Sequence, residues 1–128
     1  MNFLAHLYLS GNNEEVIFGN FIADGVKGNQ MNGYSAGIRD GIRLHREIDR
    51  YTDNHPVVKQ SKSRLSPKYR MFSGVIVDLF YDHFLSKYWQ EFSQKELNDF
   101  VSKTYQLLIK SYDLLPPRPK RILPFMIT

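Results

Sequence analysis

The sequence predicts an all-α protein that folds as a single compact helical domain. Apolar side chains recur in several segments at the three- and four-residue spacing of one helix face. Neither a βαβ alternation nor an internal repeat is evident. A chain of 128 residues with 42% hydrophobic and 14% aromatic content is long enough for one domain with a core of its own.

Capping residues and turns predict the first three helices. Residues 2–9 favour helix over strand, because their apolar side chains share one helical face. Two glutamates suit the first turn of the next helix, which is predicted to run to about Asp24. Ser35 is a plausible N-cap of the third helix, and the pair His55–Pro56 is predicted to end or kink it.

Two further helices are predicted in the second half of the chain. The pair Ser66–Pro67 has the pattern of a helix start, a capping residue followed by proline at the first position. This helix is predicted to extend to about Trp89. A capping-box pattern begins at Ser93 and precedes apolar residues at helical spacing to about Tyr112.

A proline-rich segment divides the chain after these helices. Prolines at positions 116, 117 and 119 are predicted to stop helical structure and to favour an extended conformation. The same segment carries three basic residues and no acidic one. The predicted organisation is a helical domain over residues 1–115 and an extended, basic tail over residues 116–128.

Composition restricts the chemistry and the location. The absence of cysteine excludes disulfides, thiolate metal sites and cysteine nucleophiles, and it agrees with a reducing compartment. No apolar run is long enough to cross a membrane, and the N-terminus lacks the basic start of a signal peptide. A cytoplasmic location is therefore predicted. Motifs for phosphate loops, dinucleotide binding and serine hydrolases are also missing.

Two clusters of histidine and aspartate are the main indication of function. His45 and Asp49 are four residues apart and therefore lie on one face of the third predicted helix. Asp78 and Asp82 repeat this spacing in the next helix, with His83 beside them. Carboxylates among apolar residues are costly to bury unless they are paired or bound to metal. Together, imidazole and carboxylate groups predict a divalent-cation site, which commonly activates water against a phosphate or carbonyl ester.

Several of these side chains also have a structural interpretation. The aspartates and histidines could form an ion-pair network without a metal. Arg46 could neutralise nearby aspartates, or it could hold a phosphate oxygen with its planar guanidinium group. His6 could be a buried core residue or a catalytic one, and Asp24 could be a helix-end residue or a ligand.

Positive charge is concentrated between Asn54 and Val77. This segment has no acidic residue and five basic ones: Lys59, Lys62, Arg64, Lys68 and Arg70. A patch of one sign favours a partner of the opposite sign, although it could also be a solvated face. Nucleic acid is not predicted, because no nucleic-acid-binding module accompanies the patch. On charge alone, an acidic protein partner fits the patch as well as nucleic acid does.

Four motifs, in order, resemble the acyl carrier protein phosphodiesterase family. They are Asn2–Phe3–Leu4–Ala5–His6–Leu7, Gly19–Asn20 with Ala23–Asp24, the segment from His45 to Pro56, and Asp82–His83–Phe84–Leu85 with Trp89. Each motif is weak alone. Together, at compatible spacings, they are specific, and they extend over nearly all of the chain up to Trp89.

The resemblance implies an all-α fold similar to that of the HD-type metal-dependent phosphohydrolases. It implies hydrolysis of the phosphodiester that joins 4′-phosphopantetheine to a serine of holo acyl carrier protein, with manganese, magnesium or another divalent cation as cofactor. Arg46 would hold the phosphate, His6 would donate a proton to the leaving serine oxygen, and the acidic carrier would dock on the basic segment. The implied metal ligands or their neighbours are Asp24, His45, Asp49, Asp78, Asp82 and His83.

Members of the resembled family continue with further helices beyond the position of Arg121. This chain is therefore expected to lack those C-terminal helices and to expose apolar surface that could drive self-association. Two other functions remain open. One is an HD-type nucleotide phosphohydrolase, which needs the metal site but not the basic segment. The other is a helical module that binds an acidic protein without turnover.

Overall fold

The structure is a computed structural model that describes residues 3–127, with side chains up to residue 126. Over this range the chain forms eight α-helices joined by short turns, which confirms the predicted all-α class. The helices are α1 (Phe3–Leu9), α2 (Glu14–Ile22), α3 (Ala36–Asn54), α4 (Pro56–Tyr69), α5 (Ser73–Lys87), α6 (Trp89–Phe92), α7 (Leu97–Lys110) and α8 (Pro117–Ile127). None of the helices described is long and apolar enough to cross a membrane.

Helices α2 and α3 form the most extensively packed pair in the described structure. As predicted, Ser35 caps α3, and its hydroxyl accepts a hydrogen bond from the backbone N–H of Ile38. Glycines on both helices permit the close approach. A Cβ atom on Gly19 would overlap the carbonyl oxygen of Ile38, and one on Gly41 would overlap the carbonyl oxygen of Val16. This pair of helices is the frame on which the candidate site is built.

The core lies between this pair and helices from both ends of the chain. Leu7 of α1, Leu108 of α7 and Leu123 of α8 all belong to the same buried cluster as the apolar faces of α2 and α3. Leu108 and Leu123 are at most 1% exposed. Helix α1 is thus held by apolar packing as well as by the polar contacts described below.

The extended conformation predicted for residues 116–128 is wrong, because Pro117–Ile127 forms α8. Prolines in the first turn of a helix replace N–H groups that have no intrahelical partner, so they start a helix as readily as they stop one. The N–H of Lys120 donates to the carbonyl oxygen of Pro116 at 3.0 Å. Burial of Leu123 against the core then stabilises a helix that the composition of the segment does not suggest.

The helix start predicted at Ser66–Pro67 is also wrong. Helix α4 begins at Pro56, and its N-cap His55 accepts a hydrogen bond from the N–H of Val57 through its side chain. The helix continues through Pro67 to Tyr69. The break comes at Arg70, whose φ of 49° is incompatible with a continuing helix. The pair His55–Pro56 therefore does end α3, as predicted, and it also starts α4.

Large apolar side chains are exposed along α5. We call this surface the α5 face, and its members are between 47% and 58% exposed: Val75, Leu79, Phe80 and Phe84. The rings of Phe80 and Phe84 stack on each other with centroids 6.4 Å apart. Contiguous apolar patches of this kind mark interaction surfaces more often than isolated exposed residues do.

Candidate metal centre

Two histidines and an aspartate converge where α1 meets α3. One ligand atom from each of His6, His45 and Asp49 lies within 4.8 Å of the others. Asp49 contacts one imidazole with each carboxylate oxygen: Oδ1 lies 3.0 Å from Nε2 of His6, and Oδ2 lies 3.4 Å from Nε2 of His45. His45 and Asp49 share a face of α3, as their spacing predicts. His6 lies on α1, 43 residues before Asp49 in the sequence.

The two imidazole rings are stacked and buried. Their centroids are 3.7 Å apart and their planes differ by 9°. His6 is 3% exposed and His45 is 6% exposed. Two parallel rings at this distance repel each other strongly if both carry a positive charge.

A fourth polar group completes the cluster from the end of α2. Asp24 lies in the 3-10 turn Ala23–Gly25, and its Oδ1 is 3.2 Å from Nε2 of His45. A carboxylate near a helix C-terminus opposes the helix dipole. Because the imidazole donates to it, the pKa of Asp24 lies below its usual range despite partial burial. Its side chain is 73% exposed, so this edge of the cluster opens to solvent.

The protonation of the cluster follows from these contacts. Burial disfavours a charged imidazole, but hydrogen bonds to Asp24 and Asp49 outweigh it and raise the pKa of His45 to about 9. Burial also opposes ionisation of Asp49, yet hydrogen bonds from His45 and His6 bring its pKa below the usual range. The imidazolium of His45 therefore directs its Nε2–H group toward two carboxylates, Asp24 and Asp49.

The donor set fits a divalent cation. Two imidazoles and a carboxylate are a common ligand combination for such ions, and binding would exchange the proton on His45 Nε2 for the metal. A second observation is independent of composition. Within residues 3–127, Nδ1 of His6 is the buried side-chain nitrogen or oxygen for which no hydrogen-bond partner is found. An unsatisfied buried polar atom costs on the order of 1–3 kcal/mol. Since Nε2 is the nitrogen that faces Asp49, Nδ1 points away from the cluster and would need a partner of its own.

Comparison with known proteins identifies the family. The family model described as acyl carrier protein phosphodiesterase matches residues 1–128.

The chain belongs to the acyl carrier protein phosphodiesterase family.

Curated relatives agree with the family match. Proteins named acyl carrier protein phosphodiesterase from Enterobacter sp. and Klebsiella pneumoniae are 39% and 40% identical to this chain over 119 residues, which is 92% of the chain and 62% of each relative. One from Photorhabdus laumondii is 44% identical over 91 residues, which is 71% of the chain and 46% of that relative. The chain thus spans about three fifths of the length of the first two relatives. No solved structure shows significant similarity to it.

In this member of the acyl carrier protein phosphodiesterase family, the second His/Asp cluster is not part of the metal-compatible group. The metal-compatible group found among the described residues contains neither Asp78, Asp82 nor His83. The Asp82 carboxylate instead accepts hydrogen bonds from the backbone N–H groups of Leu4 and Ala5, at 3.4 and 3.3 Å. Burial raises its pKa in spite of these donors, and the nearby Asp78 carboxylate adds to the rise. His83 is exposed on α5.

Asp82 therefore caps α1, the helix that carries His6. The first N–H groups of an α-helix have no partner within the helix and are normally capped by a nearby side chain. In α1 that side chain comes from 77 residues away along the chain. The predicted role of Asp82 as a ligand or its neighbour stays a prediction, and the geometry favours the neighbour.

Arg46 lies at the edge of the cluster. One guanidinium nitrogen donates to the carbonyl oxygen of Val26 at 3.3 Å, the other lies 3.9 Å from the sulfur of Met31, and the residue is exposed. Val26 follows directly on the turn that carries Asp24, so Arg46 ties this turn to α3. The contact leaves most of its donors directed toward solvent.

The predicted basic residues lie on α4 and at its C-terminal end. Lys59, Arg64 and Lys68 are exposed on the helix, and Arg70 follows it. Lys62 is more enclosed and pairs with Asp53 of α3 at 3.4 Å. The structure therefore keeps the basic segment on one helix, with one of its five charges already paired within the chain.

Proposed function

We propose that this chain carries the metal centre of a phosphodiesterase that acts on holo acyl carrier protein. The reaction would be hydrolysis of the phosphodiester between 4′-phosphopantetheine and the carrier serine, which yields the apo carrier. The observation that supports it best is the convergence of His6, His45 and Asp49 in a chain of this family. The names of the relatives supply the substrate class.

His6, His45 and Asp49 would hold the ion, and Asp24 would complete the set from the open side. We propose manganese, magnesium or another divalent cation, as the family resemblance implies, and the two imidazoles and the carboxylate are ligands that such ions accept. A bound divalent ion would supply a water of lowered pKa and would polarise the phosphodiester. In this proposal His6 is a ligand, because it belongs to the group that could hold an ion, and its role as proton donor to the leaving serine stays a prediction.

Arg46 is proposed to bind the substrate phosphate. It lies one residue from His45 and keeps free donors toward solvent at the edge where Asp24 is exposed. A guanidinium group can bind two phosphate oxygens at once, which would orient the diester toward the ligand cluster.

The experiment that tests the proposal is intact-mass analysis of holo acyl carrier protein after incubation with this chain. We expect loss of the phosphopantetheine mass with Mn²⁺ and no loss with a chelator. Loss of phosphate from nucleotides in place of the carrier reaction would favour the nucleotide phosphohydrolase. A complex with the carrier that survives chelation, without turnover, would favour the binding module.

The exposed basic residues of α4 are proposed to dock the acidic carrier. The double change Arg64→Glu with Lys68→Glu should raise KM for the carrier roughly tenfold and leave kcat and the hydrolysis of a small phosphodiester unchanged, because long-range attraction governs encounter. The matched control is Lys103→Glu with Lys110→Glu, which makes the same change of charge on exposed positions of α7. Equal effects of both double variants on KM would contradict docking on α4.

The α5 face is proposed to mediate self-association of this chain. Replacing Leu79 and Phe80 with serine should shift sedimentation from dimer toward monomer, since the exposed apolar area is the driving force. A wild-type chain that sediments as a monomer at all concentrations would refute self-association.

We also propose a cytoplasmic location. The absence of cysteine agrees with a reducing compartment.

A further inference from the structure

Asn20 connects the two histidines of the candidate site without belonging to the ligand group. It lies on α2 and its side chain is fully buried, at 0% exposure. The amide nitrogen Nδ2 donates to the carbonyl oxygen of His6 at 3.0 Å and to the hydroxyl of Ser10 at 2.7 Å. Oδ1 lies 2.9 Å from Nδ1 of His45. One side chain thus joins α1, α2 and α3 at the site.

The hydrogen-bond pattern fixes the orientation of this amide. A backbone carbonyl can only accept, so the atom of Asn20 that faces the carbonyl oxygen of His6 must be the NH₂ group. The amide oxygen must then face His45. The orientation is therefore determined by the partners and does not depend on distinguishing nitrogen from oxygen by shape.

The same pattern fixes the proton on one nitrogen of His45. Nδ1 faces two acceptors, Oδ1 of Asn20 and the backbone carbonyl oxygen of the same residue, both at 2.9 Å. Nδ1 must therefore carry a hydrogen. Nε2 is left to face Asp24 and Asp49, at 3.2 and 3.4 Å. A histidine ligand generally donates its other N–H to an acceptor, which sets the ring orientation.

We propose that Asn20 is a positioning residue of the metal centre. Its side chain directs Nε2 of His45 toward the ligand cluster and holds the backbone of α1 at the position of His6. This inference rests on the metal site proposed above. Helix α1 has only 7 residues, so it depends on such outside contacts to place His6.

The test compares Asn20→Ala with Ser10→Ala in titrations with Mn²⁺ alone. Ser10→Ala disturbs the same buried network, because the hydroxyl bonds both to Asn20 and to the carbonyl oxygen of His6, but it leaves both acceptors of His45 in place. We expect Asn20→Ala to weaken Mn²⁺ binding by about 10- to 100-fold, the range typical of groups that orient a ligand. Ser10→Ala should weaken it by less than about threefold under the same reasoning.

A spectroscopic measurement separates positioning from stability. In the metal-free protein, the Nδ1–H proton resonance of His45 should move upfield in Asn20→Ala, because one of its two acceptors is lost, and should stay in place in Ser10→Ala. Wild-type affinity in folded Asn20→Ala, or equal losses in both variants, would overturn the proposal. If Asn20→Ala does not fold, Asn20→Ser retains a polar group too short to reach both helices, and the same two criteria apply to it.

Failure of the positioning role of Asn20 can be distinguished from failure of the proposed phosphodiesterase function. A chain that binds Mn²⁺ but does not cleave the carrier would refute the function while the affinities of the Asn20 and Ser10 variants still decide the positioning role. A wild-type chain that binds no Mn²⁺ would overturn both.

Discussion

Asn in place of Asp49 should abolish binding of Mn²⁺ and, with it, any metal-dependent hydrolysis. Asp49 is the group that contacts both histidines, one with each oxygen. Asparagine has the same shape but no negative charge, and its NH₂ group would face an imidazole nitrogen. We expect the affinity to fall by on the order of 100-fold or more, because the change removes a ligand and its charge together.

The matched control for this substitution lies on the same helix. Asp40→Asn makes the same chemical change at an exposed position of α3, where the carboxylate pairs with Arg43 at 3.2 Å. Calorimetric titration with Mn²⁺ should show wild-type affinity for Asp40→Asn and no measurable binding for Asp49→Asn. Retained tight binding in folded Asp49→Asn would mean that the ion is held elsewhere.

Gly41→Ala should strongly destabilise the chain, because it adds a methyl group where α2 and α3 are in backbone contact. The new Cβ would overlap the carbonyl oxygen of Val16 and lie 2.8 Å from the backbone nitrogen of Asn20. Backbone atoms cannot rotate away as side chains do, so α2 and α3 would have to separate. We expect a loss of about 3 kcal/mol in the free energy of unfolding, at the upper end for overpacked sites.

Chemical denaturation followed by circular dichroism measures this loss. Gly33→Ala is the control, because its Cβ would meet nothing within 4 Å and its φ is not positive. It should change the free energy of unfolding by less than about 0.5 kcal/mol, as surface changes usually do. Since Asn20 lies at the same contact, Gly41→Ala should also weaken Mn²⁺ binding. A Gly41→Ala variant as stable as Gly33→Ala would show that the helices tolerate a wider separation.

Part of the site was predictable because it is local. The four-residue spacing of His45 and Asp49 places them on one helix face whatever the rest of the fold does. Asp24 could be proposed as a ligand but not assigned, since its contact with His45 depends on how α2 packs on α3. The approach of His6 depends on where α1 docks, and no feature of its own segment specifies that. For Asn20, the sequence contains one weak indication of a special role: an amide side chain among the apolar residues of α2.

The errors have a common physical origin in proline. A proline is compatible with the first turn of a helix and also disfavours the helical region in the residue before it, so one local pattern serves both as an end and as a start. Pro56 has both roles. Pro117 begins α8, whereas Pro67 lies inside α4. Which role applies is decided by burial of the following residues, such as Leu123, and that information is not local.

Asp82 links the order of folding events to the assembly of the metal centre. The contacts of His45 with Asp24 and Asn20 close loops of only 21 and 25 residues. The cap on α1 spans 77 residues and is made by a residue of α5. Longer loops cost more entropy to close, so we expect the cap on α1 to form after these contacts and after the 14-residue contact between Asn20 and the carbonyl oxygen of His6. In stopped-flow refolding, full affinity for the metal should therefore trail the recovery of helical signal, and a nascent chain should reach that affinity only after α5 has left the ribosome.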